Sequence, residues 1–174
     1  MSILKLIRNN KKFSIWITIM YSLRKATLND LEKLIDFRVK FLEEIQTPPS
    51  DMDMEIFRNE LKDYLLDKIP CNEFIAWLAE SDNEVIATSG LSFLQKPPHF
   101  INITGKFAYI MNMYTIPKWR RKGIASALLE KLLEEIKKKG IQSVTLHATQ
   151  DGRPLYENYG FRENDGDKEM ILKF

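Results

Sequence analysis

Tyr109-Ile110-Met111-Asn112-Met113-Tyr114-Thr115-Ile116-Pro117 runs into Lys118-Trp119-Arg120-Arg121-Lys122-Gly123-Ile124-Ala125-Ser126, and this stretch decides the fold. In its first half apolar residues fall on both parities, the pattern of a strand buried on both faces, so a strand over 107–116 belongs at the centre of a sheet. Its second half opens the most regular helical run of the chain. Ile124, Leu128, Leu132 and Ile136 lie four apart with Leu129 beside them, while Glu130, Lys131, Glu134 and Glu135 form the polar face. The helix is expected over 122–138, with Gly140 as its stop. Its N-terminus carries three cations and no acid, so its unpaired backbone N–H groups form an anion site, and a phosphate is the anion expected. The competing reading of Arg120 to Lys122 is a solvated basic turn beside an ordinary helix.

Outward from this segment the order of elements is mixed. Residues 141–148 read as a strand, making strand–helix–strand a crossover unit whose two strands should be parallel. Upstream, residues 22–26 read as a short strand, and Thr27-Leu28-Asn29-Asp30 forms a capping box that opens a helix. Leu31, Leu34, Ile35, Phe41, Leu42 and Ile45 keep one apolar face until Thr47-Pro48-Pro49-Ser50 ends the run. A second helix is expected over 52–66. Residues 74–79 and 85–93 read as strands of an antiparallel hairpin about Ser81-Asp82-Asn83, and residues 95–105 as a loop.

Composition bounds the rest. A chain of 174 residues with 44% hydrophobic content fits one ordinary globular domain. A net charge of +2 argues against a broad nucleic-acid surface. The single cysteine, Cys71, cannot form an internal disulfide, which suits a reducing, cytoplasmic setting. No metal site is expected either, since His99 and His147 are far apart in sequence and make no ligand set. Lys5, Arg8, Lys11 and Lys12 precede an apolar run over 13–20. That run is too short to span a bilayer and lacks a small-residue cleavage site, so no membrane partner is expected. Residues 1–20 are read as an extension and 21–174 as the domain.

The pattern R-x-x-G-x-A, from Arg120 through Gly123 to Ala125, resembles the GNAT superfamily of acetyl-CoA-dependent N-acetyltransferases. Two neighbours strengthen the likeness: residues 112–117 resemble the family's central strand ending in a proline turn, and Leu155-Tyr156-Glu157-Asn158-Tyr159-Gly160-Phe161 its late helix and aromatic close. The resemblance implies a mixed, mostly antiparallel sheet flanked by helices, with one parallel strand–helix–strand unit at the cofactor site. It implies acetyl-CoA as co-substrate, its pyrophosphate held at Arg120, Arg121, Lys122, Gly123, Ile124, Ala125 and Ser126. It further implies that a backbone N–H of Met113, Tyr114 or Thr115 receives the thioester carbonyl, and that Tyr156 protonates the departing thiolate, leaving Tyr159 to packing. The other reading of Tyr156 is an aromatic that ties the late helix to the sheet. The acceptor would be a small-molecule amine or a peptide N-terminus, and the resemblance admits a homodimer.

Two departures bear on mechanism. Met111, Asn112 and Met113 stand where many relatives carry a glutamate base, and Glu43, Glu44, Asp51 and Asp53 are the nearest substitutes in family terms. Thr149 stands where the family often has an asparagine against the coenzyme's amide chain. His147 on the same strand reads more as a core residue than a catalytic one. Asp151 or Gly152 is expected to cap the late helix. Residues 48–53 and 95–100 are expected to wall the acceptor pocket, and their acids would favour a cationic amine. Two function classes follow: an N-acetyltransferase, or a non-catalytic acyl-CoA-binding domain that has lost its base.

Overall fold

The computed structural model describes residues 21–163 and Leu172. The assigned extension, residues 1–20, lies outside the described residues. Strand β1 (Ser22–Lys25) leads into a single 3-10 turn and then helices α1 (Leu31–Ile45) and α2 (Met54–Lys68). Strands β2 (Phe74–Ser81), β3 (Glu84–Gln95) and β4 (Lys106–Thr115) follow, then α3 (Ile124–Lys138), β5 (Val144–Leu146) and α4 (Arg153–Asn158). The sheet order is β1-β2-β3-β4-β5, antiparallel throughout except for the parallel pair β4–β5.

Local chemistry accounts for the boundaries. Thr27 Oγ1 accepts from the Asn29 amide at 3.3 Å, and Asp30 accepts from the Thr27 amide at 2.8 Å. Asp30 is also held by both Arg24 Nη groups, at 2.6 and 2.8 Å, which ties the start of α1 to β1. The β2–β3 hairpin turns on Asp82 and Asn83, both at positive φ (52° and 63°), the two-residue turn whose twist matches its strands. Asp53 accepts from the Glu55 and Ile56 amides and so starts α2 two residues later than the sequence suggests.

Strand β4 is the fourth of five strands rather than the central one, a place that β3 takes. Its burial on both faces stands: Ala108 and Ile110 pack with Leu129, Leu132 and Ile136 of α3, while Met111 packs with Leu34, Leu65 and Phe74 on the side of α1 and α2. Strand β5 is much shorter than the expected 141–148. It pairs only with Ala108 to Ile110, so β4 from Met111 onward is joined to β3 on one edge and to no described strand on the other. The crossover therefore opens a gap at the C-terminal ends of two parallel strands.

Candidate active site

Three elements surround that gap. The first is the N-terminus of α3. Gly123 is its N-cap at φ 79°, left-handed, with no side chain capping the free amides of the first turn. A Cβ added at Gly123 would meet nothing within 4 Å, so glycine is needed here for its backbone angle and for the open approach in front of the amides, not for lack of room in the fold. Arg121 is left-handed as well (φ 60°), and alternation of this kind turns successive N–H groups into one concavity.

Of the three cations, Arg120 is committed elsewhere. Its Nη2 lies 2.6 and 2.7 Å from the two oxygens of Glu44 at the end of α1, and its Nε donates to the Thr115 carbonyl at 2.8 Å. Glu44 also accepts from the Tyr114 hydroxyl at 2.9 Å, and the Arg120 guanidinium lies 5.5 Å from the Tyr114 ring centroid. Burial and the Glu44 carboxylate push the Tyr114 phenol up. Glu44 is thus a structural anchor instead of a free carboxylate, and Asp53 is spent on capping α2. Lys122 covers the Trp119 ring at 4.5 Å, and no ion pair engages Arg121 or Lys122 among the described residues.

The second element is the end of β4. The β3–β4 register slips between Thr88 and Gly90, where Asn112 bulges at φ 54°. Thr88 Oγ1 donates to the Asn112 carbonyl at 3.2 Å, and Arg38 Nη1 donates to Asn112 Oδ1 at 2.6 Å. The bulge shifts the backbone of Met113 and Tyr114 relative to β3 just where β5 has ended.

The third is α4. Gly152 caps it and Pro154 lies in its first turn, as expected, but the capping hydrogen bonds converge on Thr149: its Oγ1 accepts from the Gly152 amide at 3.1 Å, its carbonyl from the Arg153 amide at 2.9 Å. The Thr149 hydroxyl keeps its proton to donate. A Cβ on Gly152 would sit 3.1 Å from Thr149 Oγ1 and 3.4 Å from the Tyr156 ring, which places those two residues side by side. Tyr156 is 8% exposed, packed against Ile110, Leu129 and Leu132 and edge-on to Phe161. Its hydroxyl has no hydrogen-bond partner among the described residues, and burial pushes its pKa up to about 12. Tyr159 does more than pack, since its hydroxyl donates to Glu130 at 2.7 Å and lies 3.5 Å from the Ser126 carbonyl, docking the end of α4 on the first turns of α3.

Some expected site residues lie elsewhere. Residues 96–105 connect β3 to the start of β4, the opposite end of that strand from the basic loop, so 95–100 does not wall this site. His147 is exposed instead of buried, its Nδ1 2.7 Å from the Tyr109 hydroxyl. Pro48, Pro49 and Met52 do border a small cavity of about 50 Å³ with Val39, Leu42 and Phe57, next to the end of α1. No group of three or more metal-ligating side chains gathers among the described residues. No helix among them is long and apolar enough to cross a membrane.

Sequence reasoning missed the Arg38–Asn112 and Glu44–Arg120 contacts. Asn112 carried a usable signal, because asparagine is among the few residues that tolerate the left-handed region and here it interrupts an apolar strand.

Residues 38–161 match the model of the acetyltransferase (GNAT) family. The chain belongs to the GNAT acetyltransferase family. Among solved structures, a predicted acetyltransferase from Clostridium acetobutylicum, determined with acetyl-CoA, is 37% identical, with 88% of this chain and 97% of that one covered and a TM-score of 0.81. A GCN5-related N-acetyltransferase from Ralstonia eutropha is 27% identical over 87% and 99% of the two chains, at a TM-score of 0.75. A ribosomal-protein-alanine N-acetyltransferase from Brucella melitensis, at 19% identity and a TM-score of 0.64 over 89% and 100%, shares the fold. A comparison with curated protein sequences gave no match. Membership makes acetyl transfer the activity of the fold, and the mostly antiparallel sheet with one parallel pair is the family's architecture.

Proposed function

We propose that residues 21–174 transfer an acetyl group from acetyl-CoA to a primary amine by direct attack in a ternary complex, in the cytoplasm. The observation that carries this reading is the uncapped, glycine-led N-terminus of α3 standing at the gap between β4 and β5, with Tyr156 unpartnered beside it. The amides from Arg121 to Ser126 hold the pyrophosphate, and Arg121 and Lys122 add charge. Arg120 contributes by holding the loop to α1 through Glu44. The pantetheine arm lies in the gap, where Thr149 can donate its hydroxyl proton to one amide carbonyl. The related Clostridium protein was determined with acetyl-CoA, which supports the same co-substrate here.

In the reaction the amine nitrogen attacks the thioester carbon, and a backbone N–H within Met113 to Thr115 stabilises the developing oxyanion. The carbon–sulfur bond then breaks, and the sulfur takes the Tyr156 proton. The surplus proton of the new ammonium leaves through water and restores the phenol. A phenol held near 12 stays protonated at neutral pH, so the acid is loaded at the start of each turnover. No carboxylate of β4 is available as base, since the strand carries none. This absence sustains the second reading, a domain that binds acyl-CoA without turnover. A thiol-release assay over a panel of amines, with the acetylated product identified by mass spectrometry, tests the proposal. Acetyl-CoA binding with no product from any amine would favour the second reading.

A further inference from the structure

Arg38 is the one guanidinium of α1, and its hydrogen bond to Asn112, like the edge-on contact of the preceding Phe37 with Tyr114, turns it toward β4. Arg38 is half-buried there, and desolvating a guanidinium even in part is costly unless a carboxylate meets it. None does among the described residues. The acids around it serve other cations: Asp36 and Glu32 take Arg58, Glu32 also takes Lys62, and Glu44 takes Arg120. Arg38 spends one N–H on Asn112 Oδ1 at 2.6 Å and rests 5.8 Å from the Phe41 ring centroid. Its remaining four donors meet no side chain among the described residues. Desolvation lowers its pKa, in line with a charge that lacks a counter-ion.

The position is as informative as the missing partner. Asn112 is the bulge residue of β4, directly before the N–H groups assigned above to the thioester carbonyl. Hydroxyl groups line the same face of the sheet. Tyr64 of α2 pairs with Ser92 at 2.8 Å, Ser92 stands directly across from Tyr109, and Tyr109 pairs with His147 at 2.7 Å. This is the face of α1 and α2, the opposite of the one on which Ile110 packs with Tyr156.

We propose that the amine acceptor carries a carboxylate close to its nucleophilic nitrogen, as free amino acids do, and that Arg38 is the specificity-determining residue that binds it. The inference rests on the acyl-transfer reading of the site. A planar fork with free donors matches a carboxylate bidentately and balances its single charge, whereas a phosphate dianion would leave charge over against one guanidinium. A polyamine or aminoglycoside would bring cation against cation. Of the acids near the first interhelix loop, Asp53 caps α2 and Glu44 is paired with Arg120, and no ion pair or hydrogen bond joins Glu43 or Asp51 to Arg38 among the described residues.

The test uses L-amino acids, each beside its amide, its decarboxylated amine and an aminoalkyl phosphate, with the full chain. Two readouts are taken: kcat/KM for acetylation, and titration calorimetry of the acceptors against protein saturated with coenzyme A. Wild type should favour the carboxylate member by roughly tenfold or more, the worth of a charge-assisted pair. In Arg38→Gln that ratio should fall to near one through a rise in KM, with Arg38→Lys between the two. Equal treatment of the set, or preference for the decarboxylated amine or the phosphate, overturns the proposal even if Arg38→Gln fails to fold. Carboxylate-dependent binding without any acetylated product would leave Arg38's role standing and remove the acyl-transfer reading. Acetylation blind to the carboxylate would do the reverse.

Discussion

Glu44 grips Arg120 with both carboxylate oxygens, at 2.6 and 2.7 Å from Nη2, and so joins the C-terminal end of α1 to the loop that leads into α3. The motif arginine most naturally read as a phosphate ligand has its charge already answered by protein. Arg120→Ala should therefore raise the acetyl-CoA Kd only about threefold, while Arg121→Ala with Lys122→Ala raises it roughly tenfold at low salt and less at high salt. Titration calorimetry at two ionic strengths checks the order. A larger loss from Arg120→Ala than from the double variant would mean that the guanidinium leaves Glu44 to meet the pyrophosphate.

Gly123 gives a second, separable test. Its φ of 79° costs any L-residue about 1–2 kcal/mol, yet a Cβ there touches nothing within the protein. Gly123→Ala should fold with that modest loss of stability and lose part of its cofactor affinity. Gly123→Val should keep a cooperative melt and bind no acetyl-CoA measurably. Wild-type affinity in the valine variant would remove the anion site from this loop.

Much of this architecture was legible in the sequence because local chemistry and tertiary demand agree. The capping box at Thr27 and Asp30, the turn at Asp82 and Asn83, the four-residue spacing of α3 and the glycine after it each specify one geometry, and the structure has it. The gap was not legible. Residues 141–148 carry strand-forming side chains, but whether they pair is decided by how far β4 and β5 stay together, a non-local fact that periodicity does not record. The order of strands fails for the same reason: burial on both faces shows that β4 is interior without saying which interior position it holds. At the site, side chains that meet across long sequence separation were invisible. Arg38 and Asn112 are 74 residues apart, and Glu44 and Arg120 are 76.

The Arg24–Asp30 pair predicts an acid-sensitive seam between β1 and α1. Hydrogen bonds from Arg24 hold the Asp30 carboxyl below its ordinary value of 3.8. A group depressed in the folded state contributes stability that is full above its unfolded pKa and is lost as pH falls through the folded one. Wild type should therefore lose stability below about pH 4, and Asp30→Asn should flatten that limb. At neutral pH the variant should be less stable by about 2 kcal/mol, since a charged hydrogen-bond network and half of a capping box go together. Urea melts from pH 3 to 7 measure both effects, and parallel pH profiles for the two proteins would show that Asp30 does not titrate with folding.

Tyr156 separates a catalytic role from a packing one. The ring is buried and the hydroxyl makes no hydrogen bond among the described residues, so Tyr156→Phe removes a proton and almost no packing. As the general acid, its loss should lower kcat by about 10²-fold or more, with acetyl-CoA affinity little changed. The pH profile sharpens the point. A phenol raised from 10.0 to about 12 keeps its proton through the assay range, so wild-type kcat should show no alkaline descent from this group below pH 10. Stability carries the matching signature, because a group raised in the folded state contributes fully below its unfolded pKa and loses that contribution as pH climbs toward 12. The phenylalanine variant should lack that alkaline loss. Unchanged turnover in Tyr156→Phe would assign the residue to packing and leave water to protonate the sulfur. A collapse of acetyl-CoA affinity would show instead that the hydroxyl holds the coenzyme, a role that burial without a protein partner equally permits before ligand arrives.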